Sequence, residues 1–361
     1  MQKIYFFIGT KAQAIKCIPL INLFLTKPNL SVVIVDSGQH TTITESIFQN
    51  FKHEITHINL FSNKENISKY SKGIVWVGKF FLKNIIFKTL KNNTIENQSI
   101  CVVHGDTVST ILGLFWGKRN KCKVIHLESG LTSNSLFNPF PEEIIRRITS
   151  RLSDILICFD PDSYLRLKNK LKRKLILQVN ENTIIETLGD LDNQKINKKD
   201  IITATLHRTE NILSKKRLIS FVKLLEKLSK SYKINWYLHE PTINSINKFN
   251  IKLSNNITTS NLISHEDFIN QLKDSKIVVT DGGSIQEECY YLGITTIVWR
   301  NTTERPYAMN ENMYISKFNI ENSLLFLLEQ KNKKINIKNE KNTPSEEIYN
   351  YLLNNKFILN D

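Results

Sequence analysis

Short Ile- and Val-rich runs with few charges alternate along this chain with longer segments of helical period. The runs fall at 4–8, 32–35, 100–104, 124–127 and 155–159, and the helical segments at 12–25, 107–118 and 142–152. A strand with one wet face alternates apolar and polar residues, whereas a continuous apolar run marks a strand covered on both faces, as in a parallel sheet. Strand–helix alternation therefore predicts a doubly wound α/β domain. The pattern restarts further on, with strands at 201–206, 234–238, 277–280 and 295–298 and helices at 216–230, 265–273 and 284–291. The polar stretch GDLDNQKINKKD (189–200) separates the two series. The expected organisation is a first domain over 1–190 and a second over 200–343. A terminal segment, 344–361, carries a helix with Ile348, Tyr351 and Leu352 on one face, packing back on the first domain. Two such domains on one linker predict a cleft in which ligand binds.

Charge is the unusual part of the composition. Lys and Arg number 49 against 34 Asp and Glu, a formal net charge of +15. That surplus suits nucleic acid, anionic lipid or a nucleotide diphosphate, or reflects a global bias towards Lys, Asn and Ile rather than a functional patch. No helix-turn-helix, zinc-finger or RNP-like pattern accompanies it, so nucleic acid is excluded as a partner. Much of the surplus sits in the segments 73–91, 166–174 and 331–341, which read as solvated faces or as surfaces lying on anionic lipid. No apolar stretch reaches the roughly 18 residues of a membrane span. The first apolar run is short and is followed by Lys11 and Lys16, which favours a buried strand over a signal peptide. The cysteines at 17, 101, 122, 158 and 289 form no CxxC pair and no zinc spacing, which predicts a reduced, cytoplasmic protein without a metal.

The clusters that carry chemistry lie mostly just past predicted strands, at the ligand edge of an open parallel sheet. In His104-Gly105-Asp106-Thr107, Asp106 reads as an active carboxylate or as the cap of the next helix. In His126-Leu127-Glu128-Ser129-Gly130-Leu131, Glu128 reads as an active carboxylate or as a loop residue. Pro139-Phe140-Pro141-Glu142-Glu143 opens a helix with Arg146 and Arg147 in its second turn. Such acids and pairs are also ordinary helix chemistry. In Thr205-Leu206-His207-Arg208-Thr209-Glu210-Asn211, His207 suits proton work near neutral pH. In Asp281-Gly282-Gly283-Ser284, the glycines admit a ligand close to the backbone, and free N–H groups at a helix start favour phosphate. Arg300 and Arg305 follow the next strand and suit a diphosphate. Acids on the first domain, with a His and a phosphate cradle on the second, predict acid–base chemistry on a nucleotide-bound substrate held between the domains.

As an ordered set, HGDT (104–107), HLESGL (126–131), PFPEE (139–143), TLHRTEN (205–211), DGGSIQEE (281–288) and RNTTERP (300–306) resembles the UDP-N-acetylglucosamine 2-epimerase family. GTKAQAIKCIPL (9–20) and SGQH (37–40) are similar to its N-terminal motifs. The resemblance implies two Rossmann-like domains in a glycosyltransferase-B type arrangement, a homodimer, and neither metal nor nicotinamide cofactor. It implies a UDP-N-acetylhexosamine 2-epimerase serving bacterial surface polysaccharide. UDP would be eliminated across C1–C2 to give 2-acetamidoglucal, then added back after protonation of the opposite face; some members hydrolyse the intermediate instead. By motif, Asp106, Glu128 and Glu142 correspond to the catalytic carboxylates and His207 to the active-site His. Lys11, Gln39, His40, Arg146, Arg208, His239, Gly282, Gly283, Ser284, Arg300 and Arg305 would bind substrate, with Glu288 near the ribose.

The family's usual patterns are not all kept. G-T-R-P-E is Gly9-Thr10-Lys11-Ala12-Gln13 here, so a bidentate Arg has become a point-charge Lys and a Glu has become Gln. The Arg of E-A-G-L-R is Thr132, D-S-G-G is Asp281-Gly282-Gly283-Ser284, and G-N-T is Glu181-Asn182-Thr183. The regulatory UDP-GlcNAc site is matched only by Gln39 and His40, and no M-x-P-G-Q run follows residue 60. An altered sugar and no allosteric control by UDP-GlcNAc are expected. A glycosyltransferase of the same architecture at the membrane surface is the alternative, carried by the basic segments.

Overall fold

The structure is a computed structural model that describes residues 1–38, 55–60, 98–132, 141–189, 199–330 and 343–358. The chain divides into two compact units, Met1–Thr187 with Asn342–Asp361, and Leu188–Lys341. The basic segments 73–91 and 331–341 lie outside the described residues.

The first unit runs β1 (Gln2–Ile8), α1 (Lys11–Leu25), β2 (Leu30–Asp36), β3 (Thr56–Asn59), β4 (Ile100–His104), α2 (Val108–Arg119), β5 (Lys123–Leu127), α3 (Glu142–Leu152), β6 (Ile155–Cys158), α4 (Pro161–Lys170) and β7 (Leu175–Gln178). Its described strands form one parallel sheet in the order β3-β2-β1-β4-β5-β6-β7. The apolar runs show why. Ile4, Phe6, Ile8, Val102 and Ile125 enter one core, while Tyr5, Phe7, Val35, Val103 and Val124 enter a second on the opposite face. Both faces are dry, so the usual alternation disappears from the sequence. The terminal helix Pro344–Asn354 buries Ile348 and Leu352 in the first of these cores and packs against α1.

The second unit runs β8 (Lys199–Leu206), α5 (Thr209–Ile212), α6 (Lys215–Leu228), β9 (Lys233–Leu238), α7 (Glu240–Lys248), β10 (Ile257–Asn261), α8 (His265–Asp274), β11 (Ser275–Thr280), α9 (Gly283–Tyr291), β12 (Thr295–Val298), β13 (Met313–Ile315) and α10 (Ile320–Gln330). Its sheet is parallel, in the order β10-β9-β8-β11-β12-β13. Each unit is thus Rossmann-like, with the chain reversing direction of growth between β1 and β4 and again between β8 and β11. Loops leaving the two strands at such a point diverge and open a crevice at their carboxyl ends.

The basic stretch 166–174 ends α4 and forms the turn after it. Arg166 donates to the Gly130 carbonyl and Lys174 to the Ser153 carbonyl, 2.6 Å away. Part of that charge therefore serves the fold. Among the described residues, no helix is long and apolar enough to cross a membrane.

Candidate active site

In the first unit the reversal point is tied together by Gln13, which is 2% exposed. Its side chain accepts from the Gly9 amide (3.0 Å) and donates to the His104 carbonyl (2.7 Å). The loop after β1 is thereby fastened to the loop after β4. Gly105 follows with φ of 67°, a left-handed conformation that a side chain would strain. Asp106 comes next, half-buried, and its carboxylate takes the Arg146 guanidinium.

Glu128 leaves β5 with φ of 58°, an unfavourable conformation for a residue with a side chain. Lys16, from the middle of α1, donates to both of its oxygens at 3.1 and 3.0 Å. His104 Nε2 lies 3.4 Å from the same carboxylate. Lys16 and Glu128 are both buried. The sequence reading assigned Lys16 no role. Its signal was a lone cation inside the apolar run of α1, where a charge persists only when paired.

Glu142 begins α3, with its Oε2 shielded from solvent. One turn on, Arg146 bridges Glu143 (2.7 Å) and Asp106. Direct contacts thus tie Glu128 to α1 and β4 and Asp106 to α3, and Glu142 shares the helix that supplies Arg146. Lys11 is the first residue of α1, after the cap Thr10. Gln39 and His40 lie outside the described residues.

A second brace supports this edge. His126 is fully buried; its Nε2 donates to the Gly105 carbonyl (2.7 Å) and its Nδ1 accepts from Ser150 on α3 (3.2 Å). Burial lowers its pKa to about 4, Arg146 acts in the same sense, and the Gly105 bond and Glu128 oppose. Between that value and the unfolded 6.5 only the unfolded chain takes the proton, so stability falls as pH drops across this window. The full effect is roughly 3 kcal/mol. Thermal melts from pH 7 to pH 4.5 should show this loss in the parent and its absence in His126→Gln; equal slopes would contradict it.

In the second unit, Asp281 is fully buried and holds the reversal point. It accepts from the His207 amide (3.1 Å), the Arg208 amide (3.0 Å) and Asn211 Nδ2 (2.9 Å). His207 Nδ1 lies 3.3 Å from the same carboxylate, and its ring packs on His239 with centroids 4.7 Å apart. Desolvation lowers the His207 pKa, with Asp281 opposing and Arg208 and Arg300 reinforcing. A neutral imidazole at neutral pH can accept a proton.

Gly282 and Gly283 start α9. A Cβ on Gly282 would stand 3.1 Å from the His207 ring, and one on Gly283 only 2.2 Å from Arg305 Nη1. Only glycine leaves room for that guanidinium. Ser284 follows within the first turn of α9. Arg208, Arg300 and Arg305 converge on Glu304, at 2.8, 2.6 and 3.1 Å. The coulombic pull of these arginines outweighs burial and holds the Glu304 carboxyl well below its usual range. Arg305 also pairs with the buried Glu287 (3.1 Å), which accepts from Tyr307. Arg300 is buried, and its Nε and Nη1 have no hydrogen-bond partner among the described residues. Those donors suit an anion. The sequence pattern points to the arginines but gives no sign of Glu304, which neutralises much of their charge. Glu288 lies further along α9, buried, with His265 at 2.9 Å.

None of the five cysteines forms a disulfide. Burial pushes the Cys17, Cys122 and Cys158 thiols up to about 12, which removes them as nucleophiles.

The family model described as UDP-N-acetylglucosamine 2-epimerase matches residues 24–343. A UDP-N-acetylglucosamine 2-epimerase of Salmonella borreze is 29% identical over 332 residues, covering 85% of this chain and 83% of that protein. The crystal structure of the Methanocaldococcus jannaschii UDP-GlcNAc 2-epimerase in complex with UDP-GlcNAc and UDP has a TM-score of 0.79 at 25% identity, covering 97% and 99% of the two chains. At greater distance, the Phytolacca americana UGT2 complexed with UDP-2fluoro-glucose and pterostilbene has a TM-score of 0.57 at 11% identity, covering 99% and 100%, which shows a shared fold.

Proposed function

The chain belongs to the UDP-N-acetylglucosamine 2-epimerase family, and from that premise we propose that it inverts C2 of a UDP-linked 2-acetamido sugar. The observation that carries this reading is the paired acid–base set of the first unit. Lys16 with Glu128, and Arg146 with Asp106, surround a sheet edge that also bears Glu142. A module that only bound nucleotide would have no use for such a set.

One carboxylate of the first unit takes the C2 proton while the C1–O bond to UDP breaks, leaving 2-acetamidoglucal and UDP. A second carboxylate returns a proton to the opposite face, and UDP adds back at C1. General acid–base catalysis of this kind contributes roughly 10²–10⁴-fold. Lys16 donates to both oxygens of Glu128 and so fixes it in orientation. In the second unit, the start of α9 and the open donors of Arg300 suit the diphosphate. His207, packed between Gly282 and His239, suits the proton balance of departing UDP. Lys11, Arg208, Ser284 and Arg305 belong to the binding set in this reading, with Gln39 and His40 assigned on sequence alone. A cytoplasmic homodimer and a product used in surface polysaccharide complete it, supported by the five unbridged cysteines and the family's motifs.

Incubation with UDP-GlcNAc alone, followed by proton NMR, should yield UDP-ManNAc, or UDP and free ManNAc. Absence of turnover with any UDP-HexNAc, together with sugar transfer once an acceptor glycan is added, would establish the glycosyltransferase instead.

A further inference from the structure

We infer that His265 sets the geometry of Glu288 and so makes the site selective for a ribonucleotide over its deoxy analogue. The inference rests on the reading that α9 and its flanking loops hold UDP.

Glu288 is 3% exposed and lies five residues beyond Gly283. That is about 7–8 Å along the helix from the proposed phosphate position. By the family resemblance, Glu288 stands near the ribose of a nucleotide held there. The Glu288 Oε1 accepts from His265 Nε2 at 2.9 Å. Its Oε2 is buried and has no hydrogen-bond partner among the described residues. A buried acceptor left unmatched is costly, so this oxygen is placed to receive a ligand donor. Hydroxyl groups are the donors that a nucleotide offers there.

His265 comes from a different element. It is the first residue of α8, capped by Ser264, whose hydroxyl accepts from the Asp267 amide (3.1 Å). The cap fixes the start of α8, which carries the imidazole, and the imidazole N–H fixes rotation of the Glu288 carboxylate. Without the N–H donor, Oε1 loses its partner and the carboxylate can turn away from the ribose. A site built to bond a hydroxyl rejects an analogue lacking it, but only while the acceptor stays in place. His265 is therefore a positioning residue, and its effect should appear in nucleotide discrimination rather than in turnover.

Calorimetric titration of the full chain with UDP and with 2′-deoxy-UDP tests this. The parent should bind UDP at least about tenfold more tightly than the deoxy compound. His265→Phe keeps the ring shape and removes the donor. It should close most of that gap by weakening UDP while leaving 2′-deoxy-UDP unchanged. His265→Gln restores an N–H and should recover part of the gap. An intact gap in His265→Phe, alongside a closed gap in Glu288→Gln, would overturn the role of His265 and leave the ribose reading standing. Equal weakening of both nucleotides would mark His265 as merely structural and overturn the inference. An intact gap in Glu288→Gln would remove the ribose reading itself, and the inference with it.

Discussion

Replacing Glu128 with Gln should lower kcat on UDP-GlcNAc by about a thousandfold, with UDP affinity changed less than about threefold. The exchange preserves shape and removes one charge. It also takes a negative charge from the buried Lys16 ammonium, which donates to both oxygens of this carboxylate. Breaking a buried pair from one side costs about 3–5 kcal/mol, so the variant should melt earlier too. Lost turnover could then be mistaken for lost structure. Combining Glu128→Gln with Lys16→Met separates the two effects. Removing both charges should restore most of the stability and none of the turnover. Recovery of activity in the double variant would make Glu128 a structural counter-ion. Asp106→Asn should lower kcat similarly, since Asp106 shares the same edge and pairs with Arg146.

Glu304→Gln should destabilise the protein by about 3–5 kcal/mol, lowering Tm by roughly 10 °C. Glu304 is the shared partner of Arg208, Arg300 and Arg305; Arg305 also pairs with Glu287, and the Asp281 carboxylate acts on Arg208. The amide would leave three guanidiniums gathered around one negative charge fewer. Because the native Glu304 pKa is depressed, its contribution is fully present above the unfolded carboxylate value of 4.5. It is lost only as pH falls through the lower native value. The Tm difference between parent and variant should therefore be constant from pH 8 to pH 5 and shrink only in stronger acid. UDP should raise Tm more in the variant than in the parent, since the diphosphate then supplies the missing negative charge. A difference that vanishes near pH 6 would contradict this account of the cluster.

The strands that could be read from the sequence are those buried on both faces. β1, β4, β5, β8, β11 and β12 are buried along most of their length and rich in Ile, Val and other apolar residues. β3 and β10, reading THIN and ITTSN, are sheet edges with mostly exposed side chains and carry no such signal. β7 and β13 are also edges, three or four residues long, too short to show a period.

The candidate site was legible where a polar residue follows a strand, as with Asp106, Glu128 and His207. It was not legible where a polar group acts across the sheet. Gln13, Lys16, His126 and Asp281 bond to partners 21 to 112 positions away. Neither their spacing nor their composition reveals such a partner. Glu304 was hidden differently. It stands four residues from Arg300 in a loop, where no helical period suggests a pair.

The central claim is that this chain exchanges the proton on C2 of a UDP-linked 2-acetamido sugar. Incubation with UDP-GlcNAc in deuterium oxide, followed by NMR at C2, tests it most directly. The account predicts deuterium at C2 in the epimerised product and, as the reaction reverses, in recovered UDP-GlcNAc. Product formed with the original hydrogen still on C2 would contradict it.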